Sequence, residues 1–139
     1  MAGKTPRRPR GPTKVVHIPV FCSLGSSGSK KVSRGLNAEK HRHGLSHVTF
    51  NPHGMNVWSS RIGPLSVKDK EHVVKVAGGA PIIISVTGYH ERGIREAFQH
   101  AGKSPPRIIN VYVEGHRTSP RTPNDEILRM VREVLEGKA

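Results

Sequence analysis

Residues 80–113 constrain this chain more than any other stretch. Ala80 to Thr87 contains Pro81, Ile82, Ile83, Ile84, Ser85 and Val86, the most apolar run in the sequence. Its length and β-branching predict a buried strand. Glu91 to Ala101 then sets Ile94, Ala97, Phe98 and Ala101 at helical spacing and stops at Gly102. Beyond the Ser104-Pro105-Pro106 turn, Arg107 to Val113 repeats the strand pattern with Ile108, Ile109, Val111 and Val113. A strand, a helix and a strand of these lengths predict two parallel strands joined by a right-handed crossover.

Three further elements frame this β-α-β unit. Ser46–Phe50 and Met55–Ser59 flank Asn51-Pro52-His53-Gly54 and read as a β-hairpin. Ser66, with Asp69 three residues on, reads as the cap of a short helix that Gly78-Gly79 would stop, while the β-branched Val73, Val74 and Val76 leave a strand reading open. Thr122-Pro123-Asn124-Asp125 reads as a helix start with a Thr cap and Pro at the first position. Ile127, Leu128, Val131, Val134 and Leu135 would be that helix's apolar face, requiring a partner within or outside the fold. The fold class expected is α/β: a small mixed sheet with a hairpin, a β-α-β unit and a C-terminal helix, preceded by an extended basic arm.

The first third of the chain is of a different kind. The first acidic residue is Glu39, and Lys4, Arg7, Arg8, Arg10, Lys14, Lys30, Lys31 and Arg34 precede it. Pro6, Pro9 and Pro12 forbid helix in residues 1–14 and hold them extended. Lys14 to Cys22 suggests a strand, and Pro19 inside it argues for an edge strand or a docked segment. Leu24 to Gly44 reads as loop. The organisation expected is a basic extension over 1–44, an RNA-binding α/β domain over 45–121 and the C-terminal helix over 122–139.

The net charge of +13 points to a polyanion, and an acid-free arm that cannot bury itself points to RNA. The membrane alternative lacks an 18-residue apolar run and a long basic amphipathic helix. No cofactor and no small-molecule substrate are expected. Cys22, the only cysteine, excludes an intrachain disulfide and sits beside Phe21 as an inert buried thiol would. His41, His43, His47 and His53 are close in sequence but lack the regular Cys or His pairs of a zinc site, and read as RNA-contacting or surface residues. Asp125, Glu126, Glu133 and Glu136 crowd one helix, which leaves few carboxylates for paired acid–base chemistry.

Two segments suggest phosphate contacts. Gly25-Ser26-Ser27-Gly28-Ser29-Lys30-Lys31 lacks the full G-x-x-x-x-G-K-[ST] pattern and reads as a flexible basic loop able to meet RNA phosphates. At Thr87-Gly88-Tyr89-His90-Glu91-Arg92 a strand ends, Gly88 turns the chain and a helix begins, so free N–H groups face a ligand. Arg92 and Arg95 would add charge there, and Tyr89 and His90 could stack on an unpaired base. Pairing of both arginines with Glu91 or Glu96 on a solvated face is the plain alternative. Lys40, Arg42, Arg107, Arg117 and Arg121 complete the candidate RNA-binding set.

Some of these residues resemble a known family. Gly88-Tyr89-His90-Glu91-Arg92-Gly93-Ile94-Arg95-Glu96-Ala97-Phe98-Gln99-His100-Ala101-Gly102 is similar to G-x-G-x-G-R-x-x-x-I-R-A-L-x-x-A-G. Arg107-Ile108-Ile109-Asn110-Val111 is similar to R-I-x-N-I, and Ser119-Pro120-Arg121-Thr122-Pro123-Asn124 to D-V-T-P-x-P-H-N. His47-Val48-Thr49-Phe50-Asn51 resembles H-x-S-F-N. These belong to the S-eleven family of small-subunit ribosomal proteins. The chain departs from it in keeping only Gly88 of the glycine triplet, in an insertion over 111–119 and in a helix after Asn124. The resemblance implies a structural protein without enzymatic activity on the platform of the small ribosomal subunit. Its partners would be ribosomal RNA and neighbouring ribosomal proteins, met through the helix 123–136. Such divergence implies a mitochondrial ribosome, with another organellar or a cytoplasmic ribosome as the alternative. The competing expectations are a metal-dependent nuclease or RNA-modifying enzyme using the His41–His53 cluster, and a non-ribosomal RNA-binding assembly factor.

Overall fold

The computed structural model describes residues 15–23, 27–55, 66–112 and 121–137. In order these are β1 (Val16–Ser23), α1 (Ser27–Glu39), a 3-10 turn (Lys40–His43), β2 (Val48–Met55), α2 (Val67–Ala77), β3 (Ile82–Ser85), α3 (Gly88–His100), β4 (Arg107–Asn110) and α4 (Asn124–Leu135). The α/β class, the β-α-β unit and the C-terminal helix are as expected. All ladders of the four-stranded sheet are parallel, in the order β2-β1-β3-β4.

Alternation along the strands divides the core into two layers. Ile18, Val20 and Cys22 of β1, Val48 and Phe50 of β2, and Ile82 and Ile84 of β3 face Val32 and Leu36 of α1 and Ile127, Leu128 and Val131 of α4. Phe21 and Ile83 point the other way, against Val73 and Ala77 of α2 and Ile94, Ala97 and Phe98 of α3. The run Ile82-Ile83-Ile84 is fully buried because a central parallel strand is covered on both faces.

Among the described residues the expected hairpin turn is not formed, and residues 56–59 of its second strand lie outside them. β2 runs straight through Asn51-Pro52-His53-Gly54, paired in parallel with β1 from Val16↔Val48 to Ser23↔Met55. The turn-forming residues are tolerated because β2 is an edge strand. Its outward backbone groups are met by side chains: Asn37 accepts from the Phe50 N–H and donates to the Phe50 carbonyl, both at 3.0 Å. Lys40 Nζ donates to the Val48 carbonyl. Pro52 shares the parity of these outward positions, so its missing N–H breaks no rung with β1.

The expected loop over Leu24–Gly44 is also replaced, by α1 and the 3-10 turn. Gly28, Gly35 and three serines make α1 a poor helix by propensity. Burial of Val32 and Leu36, one turn apart, outweighs that. β1, read as an edge strand because of Pro19, lies inside the sheet. Its pairing with β3 is confined to Val20↔Ile84 and Phe21↔Ser85, so that ladder begins just after the proline. The folded domain therefore includes β1 and α1, ahead of the boundary expected at residue 45, and α4 belongs to the same core. The basic arm over 1–14 lies outside the described residues.

Helix ends follow local chemistry with one exception. Ser66 caps α2, its hydroxyl accepting from the Asp69 N–H at 3.1 Å. Gly102 follows α3 at φ 71°, a left-handed turn suited to glycine. Thr122 does not cap α4: Pro123 is the N-cap, and the Thr122 hydroxyl donates to the Asn110 carbonyl at 3.3 Å.

Gly35 sets how closely α4 approaches α1. A Cβ there would lie 3.0 Å from Asn124 Nδ2. Asn124 is itself held, donating to Glu39 at 3.0 Å and accepting from Arg121 at 2.9 Å. Gly35→Val should therefore destabilise the protein by about 1–3 kcal/mol through overpacking. An unchanged urea midpoint would show that Asn124 moves aside freely.

Candidate functional site

From β1 the chain winds outward to β2 on one side and to β3 and β4 on the other. The winding reverses between β1 and β3. α1 leaves the carboxyl end of β1 and packs on one face, while α3 leaves the carboxyl end of β3 and packs on the other. In open parallel sheets ligands bind in the crevice such diverging connections leave at this edge. Two helices, α1 and α3, begin at this edge, where the N–H groups of a helix start favour an anion. At α3 a capping box with Thr87 already takes the His90 N–H.

On the β1 side, Cys22 is buried and its thiol donates to Ser29 Oγ in α1 at 2.8 Å. The Gly25–Lys31 segment follows β1 in sequence. It is not loop throughout, since α1 starts at Ser27. Residues 24–26 lie outside the described set.

On the β3 side a polar chain runs from the interior to the surface. The fully buried Ser85 donates to Asn110 Oδ1 at the end of β4. Asn110 Nδ2 donates to Glu91 Oε1 at 2.5 Å, and Arg95 Nε donates to Glu91 Oε2 at 2.8 Å. Sequence reasoning singled out neither Ser85 nor Asn110 as site residues. The available signal was a polar side chain at the end of each of two apolar strands. Arg95 is engaged by Glu91, the plain alternative foreseen for it, and Arg92 is exposed on α3.

His90 has a different role from the one expected. It is only 5% exposed and cannot stack on a base. Its Nδ1 accepts from the Thr87 N–H at 3.1 Å and lies 2.8 Å from Thr87 Oγ1, closing the start of α3. Burial lowers its pKa to about 4, so the ring is neutral near pH 7. Gly88 and Tyr89 occupy the same first turn.

The other predicted contacts are scattered. Lys30, Lys31 and Arg34 are exposed on α1. Lys40 is drawn to the edge of β2, and Arg42 pairs with Glu39 at 2.5 Å and Asp125 at 3.6 Å. Arg107 lies at the amino end of β4, the opposite edge of the sheet. Arg121 bonds the Thr122 carbonyl and Asn124, steadying the start of α4. Lys4, Arg7, Arg8, Arg10, Lys14 and Arg117 lie outside the described residues.

The histidines do not gather either. His41 and His43 sit in the 3-10 turn, and His43 meets Asp125 at 3.0 Å, helping to hold that carboxyl below its usual pKa. His53 lies far along β2, its ring 5.6 Å from that of Phe21. Burial and then the charge of His72 lower its pKa. Among the described residues, no group of three or more His, Cys, Asp or Glu side chains could hold a metal ion. Among them, too, no helix is long and apolar enough to cross a membrane. No family model matches the chain, and no curated protein matches it significantly.

Proposed function

We propose that the protein is a structural RNA-binding constituent of the small ribosomal subunit, in a mitochondrial ribosome, holding RNA phosphates at the carboxyl edge of its sheet. The observation that carries this reading is the pair of helix N-termini opening from adjacent strands, with Lys30 and Lys31 beside one and Arg92 beside the other. Such an edge supplies N–H donors and cations. His90 is neutral and occupied, and Glu91 is bonded to Asn110 and Arg95. The charge of +13 and the basic arm favour a polyanion over a single small anion. The resemblance to the S-eleven family supports the ribosomal assignment through residues 88–124. Its layout supports it less, because that layout opens on a hairpin, whereas the described β2 runs on in parallel with β1 through residues 51–54.

A second reading is favoured by the strand, Gly/Ser segment and helix at the point where winding reverses: one phosphorylated small molecule bound at that crevice. Binding measured against salt separates the two. RNA should bind with a steep dependence, and deleting residues 1–14 should reduce the slope of log K against log salt by about 0.7–0.9 per lost phosphate contact. An unchanged slope would remove the arm from the RNA. Failure of the full chain to bind RNA or to co-sediment with ribosomal subunits, together with saturable binding of inorganic phosphate, would replace the first reading with the second.

A further inference from the structure

The cations of α1 differ in their surroundings from Arg95 on α3, the arginines of α4 and Lys70 on α2. On α3 and α4, arginines face acids one turn away: Arg95 with Glu91 at 2.8 Å, Arg129 with Glu133 at 3.1 Å and Arg132 with Glu136 at 3.0 Å. On α2, Lys70 approaches Glu96 at 3.9 Å; Lys68 and Lys75 form no ion pair among the described residues but stand on a surface that also carries the exposed Glu71. No described acid forms an ion pair with Lys30, Lys31 or Arg34, and the first turn of α1 contains no acid.

Helical geometry gathers these side chains. At about 100° per residue, Lys30, Arg34, Ala38 and Lys31 fall within one arc of about 100°. All four are exposed, and the buried Ser29, Val32, Ser33 and Leu36 occupy the opposite side. The exposed His41 and Arg42 follow in the 3-10 turn. Lys30 and Arg34 form a like-charge pair one turn apart, which disfavours the helix by about 0.2–0.5 kcal/mol. Nothing within the described fold offsets that repulsion, and an anionic partner would.

We infer that this outward arc of α1 is the surface that lies along the backbone of double-stranded RNA. The inference rests on the RNA-binding reading above and names the surface and the form of RNA. Unpaired cations bind a polyanion without first breaking an internal ion pair. Lys30 and Arg34 lie about 6 Å apart along the helix axis, a step that suits neighbouring phosphates. The arc presents no Phe, Tyr or Trp, so it lacks the stacking platform that single strands use. Ala38 keeps its centre low enough for close approach to a regular backbone.

The test is fluorescence anisotropy of the full chain with a labelled RNA duplex of about 20 base pairs and with one of its strands alone, over a range of salt. Three proteins are compared: the wild type, K30Q/K31Q/R34Q, and K68Q/K75Q/K103Q, which removes the same charge from exposed positions elsewhere. The α1 variant should weaken duplex binding at least tenfold at low salt and reduce the salt slope by about 2–3. The control should change less than threefold. All substituted side chains are exposed, so thermal melts should coincide; if the triple variant melts early, K31Q/R34Q serves in its place, with a slope change of about 1–2. Equal losses in control and α1 variant would overturn the inference while leaving RNA binding intact, as would wild-type preference for the single strand. Equally tight binding to heparin or anionic vesicles would also overturn it. A wild type that binds neither RNA would overturn the underlying reading itself.

Discussion

Leu128→Ala should destabilise the protein by about 2–5 kcal/mol, the range for emptying a closed leucine site. Leu128 is 0% exposed, as are Ile127 and Val131 beside it, and all three belong to the layer that contains Ile18, Val20 and Ile84. Removing the chain from Pro123 onward should have a larger effect. It uncovers three fully buried side chains at about 1.5–3 kcal/mol each, against a typical total stability of about 5–15 kcal/mol. The truncated chain should show no cooperative urea transition by circular dichroism. This outcome separates two uses of the apolar face of α4, a core element or a docking surface for a neighbouring protein. The outer side of α4 instead carries the Arg129–Glu133 and Arg132–Glu136 pairs. A Leu128→Ala protein with the wild-type midpoint would return the helix to the docking role.

Acidification should weaken the fold through His90. Its pKa falls from 6.5 to about 4 on folding because burial penalises the imidazolium. Between those values the unfolded chain binds more protons than the folded one, so stability falls as pH falls. The contribution is complete above about pH 6.5 and is lost progressively toward pH 4, by at most about 3 kcal/mol. Protonation also removes the Nδ1 lone pair that accepts from the Thr87 N–H, so the start of α3 should loosen first. Urea unfolding between pH 4 and 7.5 measures the total. His53, also lowered by burial and by the charge of His72, adds a change of the same sign. The difference between wild type and His90→Gln isolates His90. If both proteins lose stability in parallel from pH 7 to pH 4, the imidazole is not the group responsible.

The fate of His90 shows why sites are harder to read than elements. Its place after a glycine at a helix start was visible, and so was the anion-favouring geometry of that start. Whether the ring faced solvent or turned back onto Thr87 depended on the neighbours that bury it. Lys40 is similar: in the sequence it is one more cation in a basic run, and in the fold it serves the Val48 carbonyl. Arg42 and Arg95 are partly neutralised by Glu39 and Glu91. Lys30, Lys31 and Arg34 keep their expected exposure because α1 needs only its other side for packing.

The β3-α3-β4 unit and α4 were determined by the sequence alone, and α2 was legible as a capped helix whose valines also allowed a strand. Each has its own apolar periodicity and its own stop or cap, so the local chain contains the instruction. The tertiary structure alone decided the interior place of β1, the course of β2 beyond Phe50 and the formation of α1. β2 passes through a turn-like Asn-Pro-His-Gly because β1 pairs with it on one side and Asn37 satisfies it on the other. α1 forms from glycines and serines because Val32 and Leu36 have a sheet to bury against. The sheet that supplies this burial is closed by α4, more than eighty positions away along the chain. Hydrogen bonds and burial supplied by distant partners outweigh local propensity at these positions, and a linear reading cannot see those partners before the chain has folded.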